Sequence, residues 1–208
     1  MQKKKAEVRN LILEVAKKEF LEKGFAKASL REIAAKAGVT KGNIYTYFKN
    51  KDELFCELVK PSMDFIRSSM PDSYGQDYVQ MYLFKTDESA QASIDDFAKF
   101  VYALFDYKEG LSLLFFSSAG SSKENFREEI FNLYTEHAFM FNNSITEYVP
   151  GKKIQMSEML IHTLASLYLR LIEEILIHEP DDQELVEYIK QMAVFVHYGF
   201  MSVINLQL

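Results

Sequence analysis

The apolar residues of this chain recur at the three- and four-residue spacing of helix faces. Near the N-terminus one such face has Glu19 as its single polar member, and its apolar members are Val8, Leu11, Ile12, Val15, Ala16 and Phe20. The pattern predicts a helix over residues 6–23 that Gly24 terminates. Strand-like alternation is not sustained anywhere, and Asn-Gly or Asp-Gly hairpin signals do not occur. The sequence therefore predicts an all-α protein.

Three further helix starts follow, and each carries a capping signal. Ser29 with Glu32 has the form of a capping box, Thr40 is a plausible N-cap, and Asn50 opens the third helix in the same way. Between the first two of these helices lies Gly38, which suits a tight turn with positive φ. A helix, a turn of three or four residues and a second helix have the spacing of a helix-turn-helix.

The second short helix separates apolar from polar positions. The apolar residues of this stretch are expected to pack with the first helix: Leu30, Ile33, Ala34, Ala37, Val39, Ile44, Phe48 and Leu54. The residues that remain outward on a helix of about seven residues are Thr40, Lys41, Gly42, Asn43, Tyr45, Thr46 and Tyr47. Two exposed tyrosines beside a lysine suit a helix inserted in a DNA major groove. For Tyr45 the alternative is a place in the core, because aromatic residues at helical spacing are usually buried.

The outward side chains have the chemistry that DNA contacts need. Lys41 and Asn43 can hydrogen-bond to guanine or adenine edges, and Gly42 permits a close approach. The tyrosine hydroxyls can reach phosphates. Lys51 opens the following helix, where its ammonium and the helix amides are expected to clamp one phosphate together.

Longer helices are predicted for the remainder of the chain, which makes about nine in all. They cover residues 51–70 with a bend at Pro61, then 74–85, 89–107, 109–119, 122–149, 154–178 and 182–206. We therefore expect a helix-turn-helix DNA-binding domain over residues 1–50 and a separate helical body over residues 51–208.

Charge is distributed unevenly along the chain. Residues 1–60 carry a net charge of +6 and the rest carries −12, within an overall charge of −6. Nucleic acid is the natural partner of the basic part, because Lys and Arg release counterions from phosphates. A solvated basic face without a partner is the alternative.

Other function classes find no support in the sequence. The four histidines fall in no metal-binding spacing, and no Gly-rich phosphate loop or nucleophile elbow occurs, so neither an enzyme nor a metal or cofactor is expected. The single cysteine, Cys56, allows no internal disulfide and fits a cytoplasmic location. Without a signal peptide or an apolar run of 18 residues, no membrane partner is expected.

Three spaced motifs carry a family resemblance: Ile33-Ala34-x-x-Ala37-Gly38-Val39, Lys41-Gly42-x-Ile44-Tyr45-x-Tyr47-Phe48 and Lys51-x-x-Leu54. With them, residues 6–54 resemble the DNA-binding domain of TetR-family transcriptional regulators. The resemblance implies base or phosphate contacts at Ser29, Arg31, Thr40, Lys41, Gly42, Asn43, Tyr45, Tyr47 and Lys51. It also implies a sequence-specific regulator, most often a dimeric repressor that a small-molecule effector releases from a palindromic operator. The alternatives are an architectural DNA-binding protein that does not respond to ligands, and a three-helix module that does not bind DNA.

The same resemblance gives the body two expected roles. An effector is expected among its many Phe and Tyr residues, with candidate pocket residues Phe97, Tyr102, Phe105, Phe116, Tyr134 and His162. An ordinary helical core is the alternative for any single aromatic residue. The last two helices are apolar on more than one face, so we expect a homodimer through a four-helix bundle that they form.

Overall fold

The computed structural model describes residues 2–77, 79, 87–148 and 156–205. Within these ranges the regular structure is helical, without strands, which confirms the all-α prediction. The nine helices found there are α1 (Gln2–Lys27), α2 (Leu30–Lys36), α3 (Lys41–Ile44), α4 (Lys51–Ser68), α5 (Asp87–Asp106), α6 (Lys108–Phe116), α7 (Phe126–Tyr148), α8 (Glu158–His178) and α9 (Asp182–Asn205). None of the helices in the described ranges is long and apolar enough to cross a membrane. The helix predicted over residues 74–85 lies mostly outside the described residues.

The chain forms two compact units, and each is built from two separate segments. The first unit consists of Met1–Arg67 and Tyr107–Glu128, and the second of Ser68–Asp106 and Glu129–Leu208. This division differs from the predicted boundary at residue 50. The difference arises because α4 contributes Phe55 to the core of the first unit and α6 packs against α1.

Three phenylalanines from α1 and α4 form the centre of the first unit's core. Phe20 lies 5.8 Å from Phe25 and 5.3 Å from Phe55, and Phe25 lies 5.3 Å from Phe55, measured between ring centroids. Burial of each such side chain contributes roughly 1.5–3 kcal/mol. Aliphatic residues with no exposed surface surround the rings and hold α2 and α3 against α1: Ile12, Ala16, Ile33, Ile44 and Leu54.

The end of α1 differs from the prediction. The helix continues to Lys27 past Gly24, whose φ of 74° and ψ of 161° are not helical and kink the chain. The amide of Phe25 then donates to the carbonyl of Ser117 at 2.8 Å. This bond ties the end of α1 to the residues that follow α6.

α6 crosses α4 at a glycine. A Cβ on Gly110 would lie 2.0 Å from the Oγ of Ser62 and 3.1 Å from its Cβ, so a larger residue there would require Ser62 to move. α6 is also shorter than the helix predicted over residues 109–119. It ends at Phe116, because Ser117 leaves helical geometry and the Ser118 hydroxyl bonds back to the carbonyl of Leu114 at 2.8 Å.

Helices α5, α8 and α9 pack together in the second unit. Ser157 caps the start of α8 by accepting a hydrogen bond from the amide of Leu160 at 3.2 Å. The same helix ends where Glu179 takes a left-handed conformation, with φ of 45°. The buried residues that join the three helices are Val101, Ile175, Leu185 and Ile189.

Candidate nucleic-acid interface

The recognition segment, which we define as residues 40–47, follows a tight turn. Gly38 has φ of 66°, as its place in the sequence predicted. The amide of Val39 donates to the carbonyl of Ala34 at 3.0 Å and closes the end of α2. Thr40 then caps α3 by accepting a hydrogen bond from the amide of Asn43 at 3.1 Å, which confirms the predicted N-cap. The turn and the cap together fix the direction in which α3 leaves α2.

Ser29 and Arg31 lie at the start of α2. The Ser29 hydroxyl accepts a hydrogen bond from the amide of Arg31 at 3.2 Å, so Ser29 is the predicted N-cap and retains its own proton for donation. The carboxylate of Glu32, the expected partner in a capping box, pairs with Lys23 on α1 at 3.1 Å. Arg31 is exposed.

The recognition segment is anchored by Ile44 and by Phe48, which directly follows it, and its other residues are at least partly exposed. Ile44 and Phe48 are buried, at 0% and 2% exposure. Tyr45 is 49% exposed, so its alternative place in the core is wrong. Tyr47 is half-buried, and the exposed residues of the segment are Thr40, Lys41, Gly42, Asn43, Tyr45 and Thr46.

Helix α3 has four residues, fewer than the seven or so that the outward pattern predicted. Beyond Ile44 the chain changes to a tighter turn. The amide of Thr46 bonds to the carbonyl of Asn43 at 3.0 Å, and the amide of Tyr47 bonds to the carbonyl of Ile44 at 2.9 Å. These bonds span three residues instead of four, which winds the backbone more tightly through both tyrosines.

Each tyrosine of the recognition segment lies beneath a lysine ammonium. The Nζ of Lys41 is 5.9 Å from the ring centroid of Tyr45, and the Nζ of Lys5, on α1, is 5.8 Å from that of Tyr47. Lys5 is absent from the contact set that the sequence predicted. Its position depends on how α1 packs against the segment, and the only sequence signal for it is the basic start of the chain.

The structure gives Lys51 a partner other than the predicted phosphate. Its ammonium donates to the backbone carbonyls of Phe25, Ala28 and Ala26, at 2.6, 3.1 and 3.4 Å. It also lies 4.3 Å from the centroid of the Phe25 ring. Burial lowers the pKa of this ammonium below its ordinary value. The amides that open α4 remain as the group that can meet a phosphate, while the Lys51 side chain holds the end of α1.

Glu19, the polar member of the apolar face of α1, has no exposed surface. Its carboxylate pairs with Lys23 at 2.6 Å on the same helix and with Lys36 at 2.5 Å on α2. Hydrogen bonds from Lys23 first and from Lys36 second hold the pKa of this carboxyl below its ordinary value. The pair with Lys36 fixes α2, and with it the start of the recognition segment, against α1. The single polar residue on the apolar face of α1 was therefore the sequence signal for the ion pair with Lys36.

The recognition segment, α2 and parts of α1 and α4 lie within a stretch that matches a known family model. Residues 12–58 match the model described as "Bacterial regulatory proteins, tetR family". Over this stretch the chain is similar to the TetR family.

Curated relatives match the chain over a short stretch of 52 to 54 residues. The chain is 50% identical to the HTH-type transcriptional regulator AcrR of Shigella flexneri over 52 residues. This match covers 25% of this chain and 24% of that protein. The chain is 44% identical to the HTH-type transcriptional repressor BepR of Brucella suis biovar 1 over 54 residues. This match covers 26% of each protein. The chain thus spans about a quarter of the length of the curated relatives it matches.

A solved structure extends the likeness in fold along most of the chain. It is NalD, the secondary repressor of the MexAB-OprM multidrug efflux pump in Pseudomonas aeruginosa. The TM-score is 0.52 at 22% identity, with 90% of this chain and 96% of that chain covered. This likeness agrees with the predicted fold class, a helix-turn-helix followed by a helical body.

The residues expected at an effector pocket do not all converge. Phe97 and Tyr134 both approach Tyr168, at 6.4 and 5.9 Å between ring centroids. Tyr102 is 41% exposed. Phe116 is 51% exposed and belongs to the first unit.

The second unit contains an apolar cavity of about 20 Å³ between α5, α8 and α9, lined in part by Phe97 and Tyr168. This volume has room for about one water molecule. Phe105 packs against the neighbouring buried cluster. His162 lies in an open groove at the start of α8, with its ring edge-to-face with Phe131 at 5.7 Å. Of the six candidates, only Phe97 lines the cavity itself.

The hydroxyl of Tyr134 is buried and, among the described residues, has no hydrogen-bond partner. Burial raises the pKa of this phenol, and the neighbouring Tyr168 adds to the rise. A buried polar group without a partner costs roughly 1–3 kcal/mol. A ligand that accepted a hydrogen bond from Tyr134 would remove that cost.

Helices α8 and α9 expose large apolar side chains. On α8 these are Met159, at 78% exposure, and Ile177. On α9 they are Val194, Phe195 and Tyr198, which share one side of the helix, with Phe195 at 58% exposure. Apolar residues grouped in this way favour a protein partner.

Proposed function

We propose that this chain is a sequence-specific DNA-binding transcriptional repressor. The recognition segment carries the proposal. Ile44 and Phe48 hold it in the core, while Lys41, Asn43 and Tyr45 face solvent with groups that suit base edges and phosphates. The relatives named as regulators and repressors support the same function.

The proposed contacts are the predicted set, with a changed role for Lys51. That residue contributes by holding the end of α1, so that the amides at the start of α4 meet a phosphate. The remaining positions contact bases or phosphates directly: Ser29, Arg31, Thr40, Lys41, Gly42, Asn43, Tyr45 and Tyr47.

The repressor acts as a homodimer through the exposed faces of α8 and α9. Phe195 and Tyr198 on α9 and Met159 on α8 support this assignment, because side chains of this size and exposure gain most from a partner. A twofold dimer presents two recognition segments, which suits a palindromic operator with half-sites roughly 34–36 Å apart.

A small-molecule effector bound in the second unit releases the repressor from its operator. Phe97, Tyr134 and Tyr168 are the best-supported pocket residues, since Phe97 and Tyr168 line the apolar cavity and Tyr134 stacks on Tyr168. The cavity of about 20 Å³ has to open for a ligand, because small-molecule sites are typically about 300–1,000 Å³.

DNA binding is tested by selection from a pool of random-sequence duplexes, followed by affinity measurements over a series of salt concentrations. We expect an enriched palindromic sequence and an affinity that falls steeply with salt. The proposal would be contradicted if no sequence were enriched and the affinity for DNA did not change with salt concentration. Steep salt dependence without sequence preference would favour the architectural alternative.

The effector is tested by a thermal-shift screen of a small-molecule library, with each hit then added to the protein bound to its selected duplex. A ligand that stabilises the protein and lowers its DNA affinity supports the proposal. Hits that stabilise the protein and leave DNA affinity unchanged count against release by an effector.

A further inference from the structure

We propose that Lys5, near the start of α1, contacts a phosphate in the DNA complex, so that the DNA-binding surface extends from the recognition segment onto α1. This inference rests on the proposed function. It adds a residue outside the helix-turn-helix, 24 positions before Ser29, the first contact predicted from the sequence.

The Lys5 ammonium lies beside the recognition segment. Its Nζ lies 5.8 Å from the ring centroid of Tyr47, at the end of the recognition segment. Lys41 stands in the same relation to Tyr45, at 5.9 Å. Two lysines from different helices therefore border one segment, and each ammonium is held near an aromatic ring.

Arg9 fixes the part of α1 that carries Lys5. Its guanidinium pairs with Glu57 on α4 at 2.6 Å and lies 5.2 Å from the ring centroid of Phe48. Because Arg9 follows Lys5 by one helical turn on the same face of α1, this anchor sets the position of Lys5 beside Tyr47.

The two cations differ in what compensates their charge. The carboxylate of Glu57 neutralises Arg9. Lys5 is exposed, and the ion pairs found among the described residues do not include it. An ammonium ordered over a ring keeps its charge and its donors for an external anion, and beside a DNA-binding segment that anion is a backbone phosphate.

The test compares Lys5→Ala with Lys18→Ala on the duplex that the wild-type chain selects. Lys18 is also an exposed lysine on α1, and it lies roughly 220° around the helix from Lys5. The slope of log affinity against log salt should become shallower by about 0.9 per chain in Lys5→Ala, the value for one lost phosphate contact. Lys18→Ala should keep the wild-type slope. Lys5→Arg should also keep it, because the charge is retained.

Lys5→Gln removes the charge and keeps most of the aliphatic stem. Its slope of log affinity against log salt should become shallower by the same amount as in Lys5→Ala. All variants should melt at the wild-type temperature, because both lysines are exposed. A wild-type slope in Lys5→Ala and Lys5→Gln, or an equal loss in Lys18→Ala, would overturn the role of Lys5. If the wild-type chain selects no duplex, the proposed function itself fails, and this result is distinct from the other two.

Discussion

At the scale of single residues, the cations of the first unit divide into two groups. Lys51 binds the carbonyls at the end of α1, and Lys23 and Lys36 enclose the buried carboxylate of Glu19. Lys41, in contrast, faces solvent from the recognition segment. The positive charge of residues 1–60 therefore overstates the charge available to DNA, because part of it stabilises the fold that presents the rest.

Lys51→Ala should destabilise the protein as well as weaken DNA binding. Three carbonyls would lose a charged donor, which costs about 1–3 kcal/mol in the free energy of unfolding. Urea denaturation measures this loss. Lys60→Ala on the same helix is the control, since its pair with Asp64 is exposed and is worth at most about 1 kcal/mol. Equal stability of the two variants would remove the structural role of Lys51.

Glu19→Gln should change how stability depends on pH. The lowered pKa of Glu19 means that its contribution is present above the ordinary value of 4.5 and is lost as pH falls through the lower folded-state value. The stability difference between wild type and Glu19→Gln should thus be largest near neutral pH and shrink in acid. Thermal melts over a pH series measure it, with the exposed Glu14→Gln as control. A difference that did not change with pH would rule out this pair of lysines as its cause.

Residue patterns predicted which side chains face outward better than they predicted what those side chains contact. Helical spacing is enough to bury Ile44 and Phe48 and to expose Lys41 and Asn43, since both sets follow from one short helix. The carbonyls that Lys51 binds lie 23 to 26 residues earlier, and their position depends on the packing of two helices. That distance explains why the sequence alone did not reveal these contacts of Lys51.

At the scale of elements, helix starts were easier to predict than helix ends. Thr40 and Ser29 are N-caps because their hydroxyls satisfy amides close by in the sequence. The ends of α1 and α6 depend on each other, since the amide of Phe25 bonds to the carbonyl of Ser117. A bond between such distant residues leaves no periodic signal in either helix.

Gly110→Ala should destabilise the first unit by forcing α6 away from α4. The added Cβ would lie 2.0 Å from the Oγ of Ser62, and overpacking of this kind costs about 1–3 kcal/mol. Gly199→Ala is the matched helical control, since a Cβ there has nothing within 4 Å. Chemical denaturation of both variants and of Gly110→Ala with Ser62→Ala measures the effect. The double variant should recover part of the loss, and no recovery would contradict a clash with the Ser62 hydroxyl.

At the scale of the whole molecule, α8 and α9 have their apolar residues on more than one side. One side forms the core of the second unit through Ile175 and Ile189, and the exposed side of α9 carries Phe195 and Tyr198. The sequence predicted this surplus of apolar faces. It does not identify which stripe faces inward, because that depends on where α5 packs.

Phe195→Glu should convert the proposed dimer to monomers. Loss of a central aromatic residue from an interface costs about 2 kcal/mol or more, which is roughly a 30-fold rise in the dissociation constant. Light scattering with size-exclusion chromatography measures the mass over a dilution series. Lys190→Glu, an exposed position on the same helix, is the control. A Phe195→Glu variant that stayed dimeric would exclude this face as the interface.

The two-segment construction of the first unit has a consequence for synthesis of the chain on the ribosome. When residue 67 has been synthesised, nearly all residues of α1 to α4 are present. The hydrogen-bond partners of Phe25 and Asp52 have not yet been synthesised. Those partners are Ser117 and Ser122, and Ser122 follows Asp52 by 70 residues. The N-terminal part of the nascent chain must therefore wait, with the surface that binds Ser117 and Ser122 uncovered, while the first segment of the second unit, Ser68–Asp106, emerges. A gene fragment that stops after α4 would leave that surface uncovered permanently.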